Sequence, residues 1–287
     1  NLILASASTS VFFSFKKTFS SNTNTIPKWE TLLETAKWCP TIHNLQPQKL
    51  KVISKTESVL YYNPKRLLPI GDPNSVFSTV AMGIFIEYLS IAASDFGYEI
   101  QVEKLFSDIS TQATKDTPFA RLKLIMRESP ESISSNLIAQ RRTARNNYNG
   151  KPISSTLINT IKKEAKKFNN DFFYTSDKNL IKTITDVNQE ALFDDLNNEP
   201  IRKELDSLFR YNKKDAEEKK DGLWAKCMGF GGALLKSVFQ NHERWTKGVK
   251  KALLKKTYLS SFKGTSTVGW FGGGFNTTKD YLNCGKM

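Results

Sequence analysis

The sequence predicts an α+β fold built around one long apolar helix. Three observations carry the prediction. Residues 74–97, NSVFSTVAMGIFIEYLSIAASDFG, contain almost no charge, and a helix apolar nearly all round belongs at a protein centre. Strand-like stretches flank it in pairs, with side chains that alternate in polarity. The resulting order is helix–strand–strand–helix–strand–strand followed by more helix, which lacks the alternation of a doubly wound sheet.

The chain has 287 residues, 39% of them hydrophobic, enough for a sizeable core. It opens NLILASASTSVFFSFKK, an apolar stretch of signal-peptide length with an A-x-A at Ala5–Ala7. Residues 1–19 read either as the end of an export signal or as an ordinary leader of a cytoplasmic protein. The stretch is too short and too rich in serine for a membrane span. Ser20 to Thr25, SSNTNT, has linker composition, so 1–25 is read as leader or linker.

Pro27 opens a helix in which Trp29, Leu32, Leu33 and Ala36 share a face. KLKVIS and SVLYYN follow as strands, then the apolar helix, which Gly97 ends. YEIQVEKLF and ARLKLIMRE make a second strand pair. Further on, residues 153–168 form an amphipathic helix and DFFYTS a short strand. Residues 177–221 are helical, highly charged and lid-like in composition, and GWFGGGF reads as a flexible loop carrying aromatics. The closing DYLNCGKM reads as the start of another helix, and the sequence is expected to continue past Met287. On this basis residues 26–135 form one half and 136–287 a second, divergent one.

Charge and residue counts narrow the chemistry. Lys and Arg exceed Asp and Glu by 42 − 28 = +14, which favours anionic partners. No basic run is interleaved with aromatics, which argues against nucleic acid. Cys39, Cys227 and Cys284 are far apart and form no C-x-x-C, so neither a disulfide framework nor structural zinc is indicated. With only His43 and His242, a multi-histidine metal site is ruled out. There is no G-x-S-x-G elbow and no G-K-[ST] phosphate loop. Cys39 stands four residues before His43; the pair could make a thiol–imidazole dyad, or Cys39 could be a small core residue.

Two segments remain. WCPTIHNLQPQKLKVI, residues 38–53, crowds proline and amide side chains onto one connector. RRTAR, residues 141–145, alternates Arg141, Thr143 and Arg145, which share a face in an extended or turning segment. Two guanidiniums and a hydroxyl there suit a phosphate dianion; the plainer alternative is a solvated helix end.

Together these segments resemble the FMN-dependent nitroreductase family. CPTIHNLQPQKLKVI is similar to its P-S-x-x-N-x-Q-P-W segment, and RRTAR to its R-R-S-x-R phosphate signature. The order of the two is reversed relative to ordinary members, which resembles the tandem, Acg-like branch with two fused halves. RLLPIGDPNSVFSTVAMGIFIEYLSIAASDFGYEIQV also resembles that branch. The resemblance covers residues 27–150 well and the rest weakly. It implies a nitroreductase-like sheet flanked by helices, a pseudo-dimer within one chain or a homodimer, and FMN as cofactor with NAD(P)H as co-substrate. Arg141, Thr143 and Arg145 would hold the FMN phosphate. Pro40, Thr41, Ile42 and Asn44 would line the isoalloxazine, with His43 and Gln46 nearby and Asn63 and Arg66 at its polar edge. The flavin carries the redox chemistry in such enzymes, so no protein residue is assigned a catalytic role. The expected activity passes hydride from NAD(P)H to a small oxidised acceptor such as a nitroaromatic or quinone. The alternative is a protein that stores or sequesters FMN with little turnover. Thr41-Ile42 and Gln48 depart from the family pattern.

Overall fold

Trp29, Leu32 and Ala36 recur at helical spacing, and all three are buried on one side of α1 (Trp29–Ala36). Pro27 lies just outside this helix, before its N-cap Lys28. In a computed structural model, residues 25–129, 131, 133–145 and 147–287 are described. The leader expected at 1–25 therefore lies outside the described residues, apart from Thr25. The rest confirms an α+β fold, with ten helices besides 3₁₀ turns among the described residues and sheets that are mainly antiparallel.

The described residues divide into two compact units, 25–142 together with Phe275–Met287, and Thr143–Gly274. The break lies after Arg142, where the sequence placed it after residue 135, and the last helix belongs with the first unit.

The first unit is a four-stranded antiparallel sheet of β1 (Gln48–Val52), β2 (Glu57–Tyr62), β3 (Tyr98–Leu105) and β4 (Thr117–Met126), in the order β1-β2-β4-β3. Central β2 is buried along most of its length and edge β1 is largely exposed, as their positions require. Between β2 and β3 runs α2 (Val76–Ser94), the apolar helix foreseen. It is long and apolar enough to cross a bilayer, yet it packs as a core helix against β3, α1 and the last helix, α10 (Thr278–Lys286). Thr277 and Asp280 close a capping box at the start of α10.

Glycines let α2 and α10 touch backbone to backbone. A methyl group on Gly83 would strike the carbonyl oxygen of Leu282 and lie 3.0 Å from the Cα of Gly285. A methyl on Gly285 would strike the carbonyl of Val80. Around this contact Leu60, Ile86, Leu89, Phe119, Leu122 and Leu282 close the core.

The second unit is mostly helical, with α3 (Ser155–Lys167), α4 (Lys178–Asn197), α5 (Glu199–Leu208), α6 (Lys213–Lys219), α7 (Gly232–Gln240), α8 (His242–Trp245) and α9 (Gly248–Ser260). Ser154, Asp177, Asn198 and Asn212 each cap a helix through the side-chain oxygen, so the charged 177–221 region is helical as expected. Its apolar cluster is smaller: Leu196, Ala225, Leu235, Val238 and Phe239.

GWFGGGF differs from expectation. Most of it is a strand within Val268–Gly272, which pairs antiparallel with Asp171–Thr175. The glycines that suggested flexibility make room for aromatics across the ribbon. Side chains on Gly269 and Gly272 would run into the rings of Phe172 and Phe173. Phe172 packs against Phe271, and Phe173 against Trp270, with centroids 5.2 and 6.1 Å apart.

Candidate functional site

Between α1 and β1 the chain turns a strained corner. The 3₁₀ turn Ile42–Asn44 is closed by Asn44 N–H donating to the Thr41 carbonyl at 3.0 Å and Leu45 N–H to that of Ile42 at 2.9 Å. His43, Asn44 and Gln46 have φ of 46°, 57° and 52°. Asparagine and histidine enter this left-handed region more readily than most side chains. Gln46 does not, and it precedes Pro47, whose ring disfavours compact backbone at the residue before it. Local hydrogen bonds hold the conformation. Gln46 N–H donates to Thr41 Oγ1 at 3.0 Å, and its amide nitrogen to the carbonyl oxygen and Oδ1 of Asn44 at 3.2 and 3.1 Å.

Sheet register brings a second segment to the same place. Gln48 stands opposite Tyr62 in the β1–β2 pair, so Asn63 N–H reaches the Pro47 carbonyl at 2.8 Å. The Asn63 side chain accepts from Lys65 N–H at 3.0 Å and caps the turn Pro64–Arg66. That turn returns Arg66 to the corner, where its Nη1 donates to the Leu45 carbonyl at 2.7 Å. Thr41, Ile42, His43, Asn44, Gln46, Asn63 and Arg66 are thus gathered, with Pro40 on the approach to the turn.

The start of α2 forms the next wall. Ile42, Leu45, Pro47 and Arg66 line a crevice with Leu68, Ser78 and Ala81. The crevice is shallow and open to solvent and encloses no space for a water-sized sphere, far short of the roughly 300–1,000 Å³ of a typical small-molecule pocket. The wall is fixed by Asp72, a buried carboxylate that accepts from Phe77 N–H, Ser78 N–H and Ser78 Oγ at 3.2, 2.9 and 2.8 Å. The sequence alone does not reveal this wall. Ser78, a polar residue early in the apolar stretch, was the available signal.

Arg141 belongs to the same unit, whereas Thr143 and Arg145 belong to the other. Its guanidinium acts on two groups near the corner. Burial pushes the Cys39 thiol up to about 12, with Arg141 opposing the shift. The Tyr88 phenol is also raised by burial, and Arg141 opposes this by its charge and a hydrogen bond. Gln48 Nε2 lies 3.5 Å from Cys39 Sγ. A buried thiol held this far above neutrality is not a nucleophile at pH 7, so the dyad loses to the core reading.

No protein-family model matches the chain, and no curated protein does so significantly.

Proposed function

We propose that the protein is an FMN-dependent oxidoreductase that takes hydride from NAD(P)H and passes it to a small oxidised acceptor such as a nitroaromatic or quinone. The observation that carries the reading is the strained corner at 43–46 beside Arg66. Strained backbone persists where the surroundings over-determine it, and such positions cluster at ligand clamps.

The donor set suits a flavin in kind. Amides of Asn44 and Gln46 and the backbone of Thr41 and Ile42 match the hydrogen-bonding edge of an isoalloxazine. Pro40 and Ile42 supply apolar surface for its ring, and Arg66 a cation beside its carbonyls. Arg141 would take the phosphate. The flavin, when bound, supplies the hydride chemistry; the protein groups orient it and bias its electronics. A second reading keeps the same cofactor but little turnover, the protein holding FMN in store.

Purified protein mixed with FMN should retain it and turn yellow, and NAD(P)H should bleach the colour under anaerobic conditions. Colour without bleaching would select the storage reading, and failure to retain FMN would end both. Arg66→Ala should weaken retention by about tenfold, the worth of one charge-assisted contact. Arg141→Ala should weaken it further. Unchanged retention in both variants would remove the site from these residues.

A further inference from the structure

We propose that α9 is a docking face for an anionic lipid surface. Its inner side is fastened to α4. The ammonium groups of Lys251 and Lys255 sit over the Phe193 ring at 5.5 and 5.6 Å, Asn188 Nδ2 donates to the Tyr258 hydroxyl at 2.6 Å, and Gln189 donates to the Lys255 carbonyl at 2.9 Å. The opposite side is therefore presented outward by a fixed helix. Val249 and Leu253, one turn apart, are 86% and 56% exposed there. Lys250 and Lys256 flank this apolar pair on the helix, and Lys247 stands at its N-cap.

Charge identifies the partner. From Arg244 to Lys279 the chain contains no aspartate or glutamate. Among the described residues none of the α9 lysines is in an ion pair with a carboxylate. Lysines around an exposed aliphatic pair suit contact with an anionic bilayer, the ammonium groups at the headgroups and Val249 and Leu253 against the surface beneath them. Nucleic acid would use the lysines but gain nothing from valine and leucine, which offer bases no stacking surface.

The test is co-flotation of the 287-residue protein with phosphatidylcholine vesicles, with and without phosphatidylserine. Binding should require phosphatidylserine and weaken with salt. Lys247→Glu, Lys250→Glu and Lys256→Glu together should weaken it by at least about tenfold. Val249→Asn with Leu253→Asn, which leaves the charge intact, should also weaken it, while circular dichroism stays unchanged. Equal binding to neutral vesicles would overturn the proposal. So would unchanged binding by the asparagine variant, which would place the contact elsewhere, the apolar N-terminal stretch included. Two other results would overturn it as well: capture of a single-stranded oligonucleotide in preference to vesicles, or self-association that Leu253→Asn abolishes.

Discussion

The two units solve the same packing problem by opposite means. The first, 25–142 with Phe275–Met287, brings helix backbones into contact through Gly83 and Gly285 and closes a large apolar core over one sheet. The second, Thr143–Gly274, has a small apolar cluster and leans on polar fastenings. Helix caps recur through it, and a buried ion pair joins Arg210 to Asp221. Arg210 donates to one carboxylate oxygen of Asp221 at 2.6 and 3.1 Å, and to the carbonyls of Ser207 and Phe209 at 2.8 and 3.1 Å. Close-packed apolar surface tolerates polar loss and resents volume; a polar clamp does the reverse.

The clamp offers the largest single effect. Asp221→Ala leaves the Arg210 guanidinium, itself only 6% exposed, without its counter-charge. Breaking a buried pair from one side costs about 3–5 kcal/mol. Hydrogen exchange should lose protection around Phe209–Arg210 and Leu223–Trp224, which pair beside the clamp, while protection of β2 and α2 is kept. Equal loss in both units would show that they unfold together and would break the contrast.

Gly83→Ala tests the first unit in the opposite sense. The added methyl meets the Leu282 carbonyl, backbone rather than a side chain that could swing away. Overpacking of this kind costs about 1–3 kcal/mol, against a gain of up to about 1 kcal/mol in helix propensity for replacing glycine. A net loss of stability, with protection lost first in α10, is expected by urea unfolding and hydrogen exchange. A stabilised variant would mean that α10 does not dock on α2 in solution.

The same contrast decides what could be read from the sequence. The first unit was legible because its elements follow simple periods. α2 is apolar on every side and α1 buries Trp29, Leu32 and Ala36, while β2, buried at Ser58, Val59 and Leu60 in succession, departs from the alternation expected of it. The second was less so, because its folding depends on pairings at long range. GWFGGGF looked like a loop since its glycines acquire meaning only under Phe172 and Phe173, almost a hundred residues earlier in the chain. At the candidate site the residues of the 38–53 segment were visible by type, and so was Arg66. The left-handed backbone of Gln46 was not, since a φ before proline is set by the Thr41 and Asn44 hydrogen bonds. Nor was the protonated state of Cys39, which follows from burial.

The smallest effect sharpens the contrast by placing a charge in the apolar unit. Glu87 on α2 is mostly buried, and burial holds its carboxyl above the usual carboxylate range. Lys286, 4.0 Å away, opposes the shift, as does Arg127, while Glu131 and Glu99 add to it. Unlike Asp221, this carboxylate has a long ion pair, to Lys286, to offset its desolvation. A raised folded value means that the folded protein keeps the proton at a pH where the unfolded chain has lost it. Stability from this group is therefore complete below the ordinary carboxylate range and is lost as pH rises through the folded value. Glu87→Gln should remove that loss, leaving stability unchanged in acid and raising it at neutral pH relative to the natural residue. Urea midpoints measured on both proteins across the acid-to-neutral range would show the curves parting as pH rises. Curves that part in acid instead would mean that Lys286 and Arg127 outweigh burial, and that the apolar unit too contains a working polar clamp.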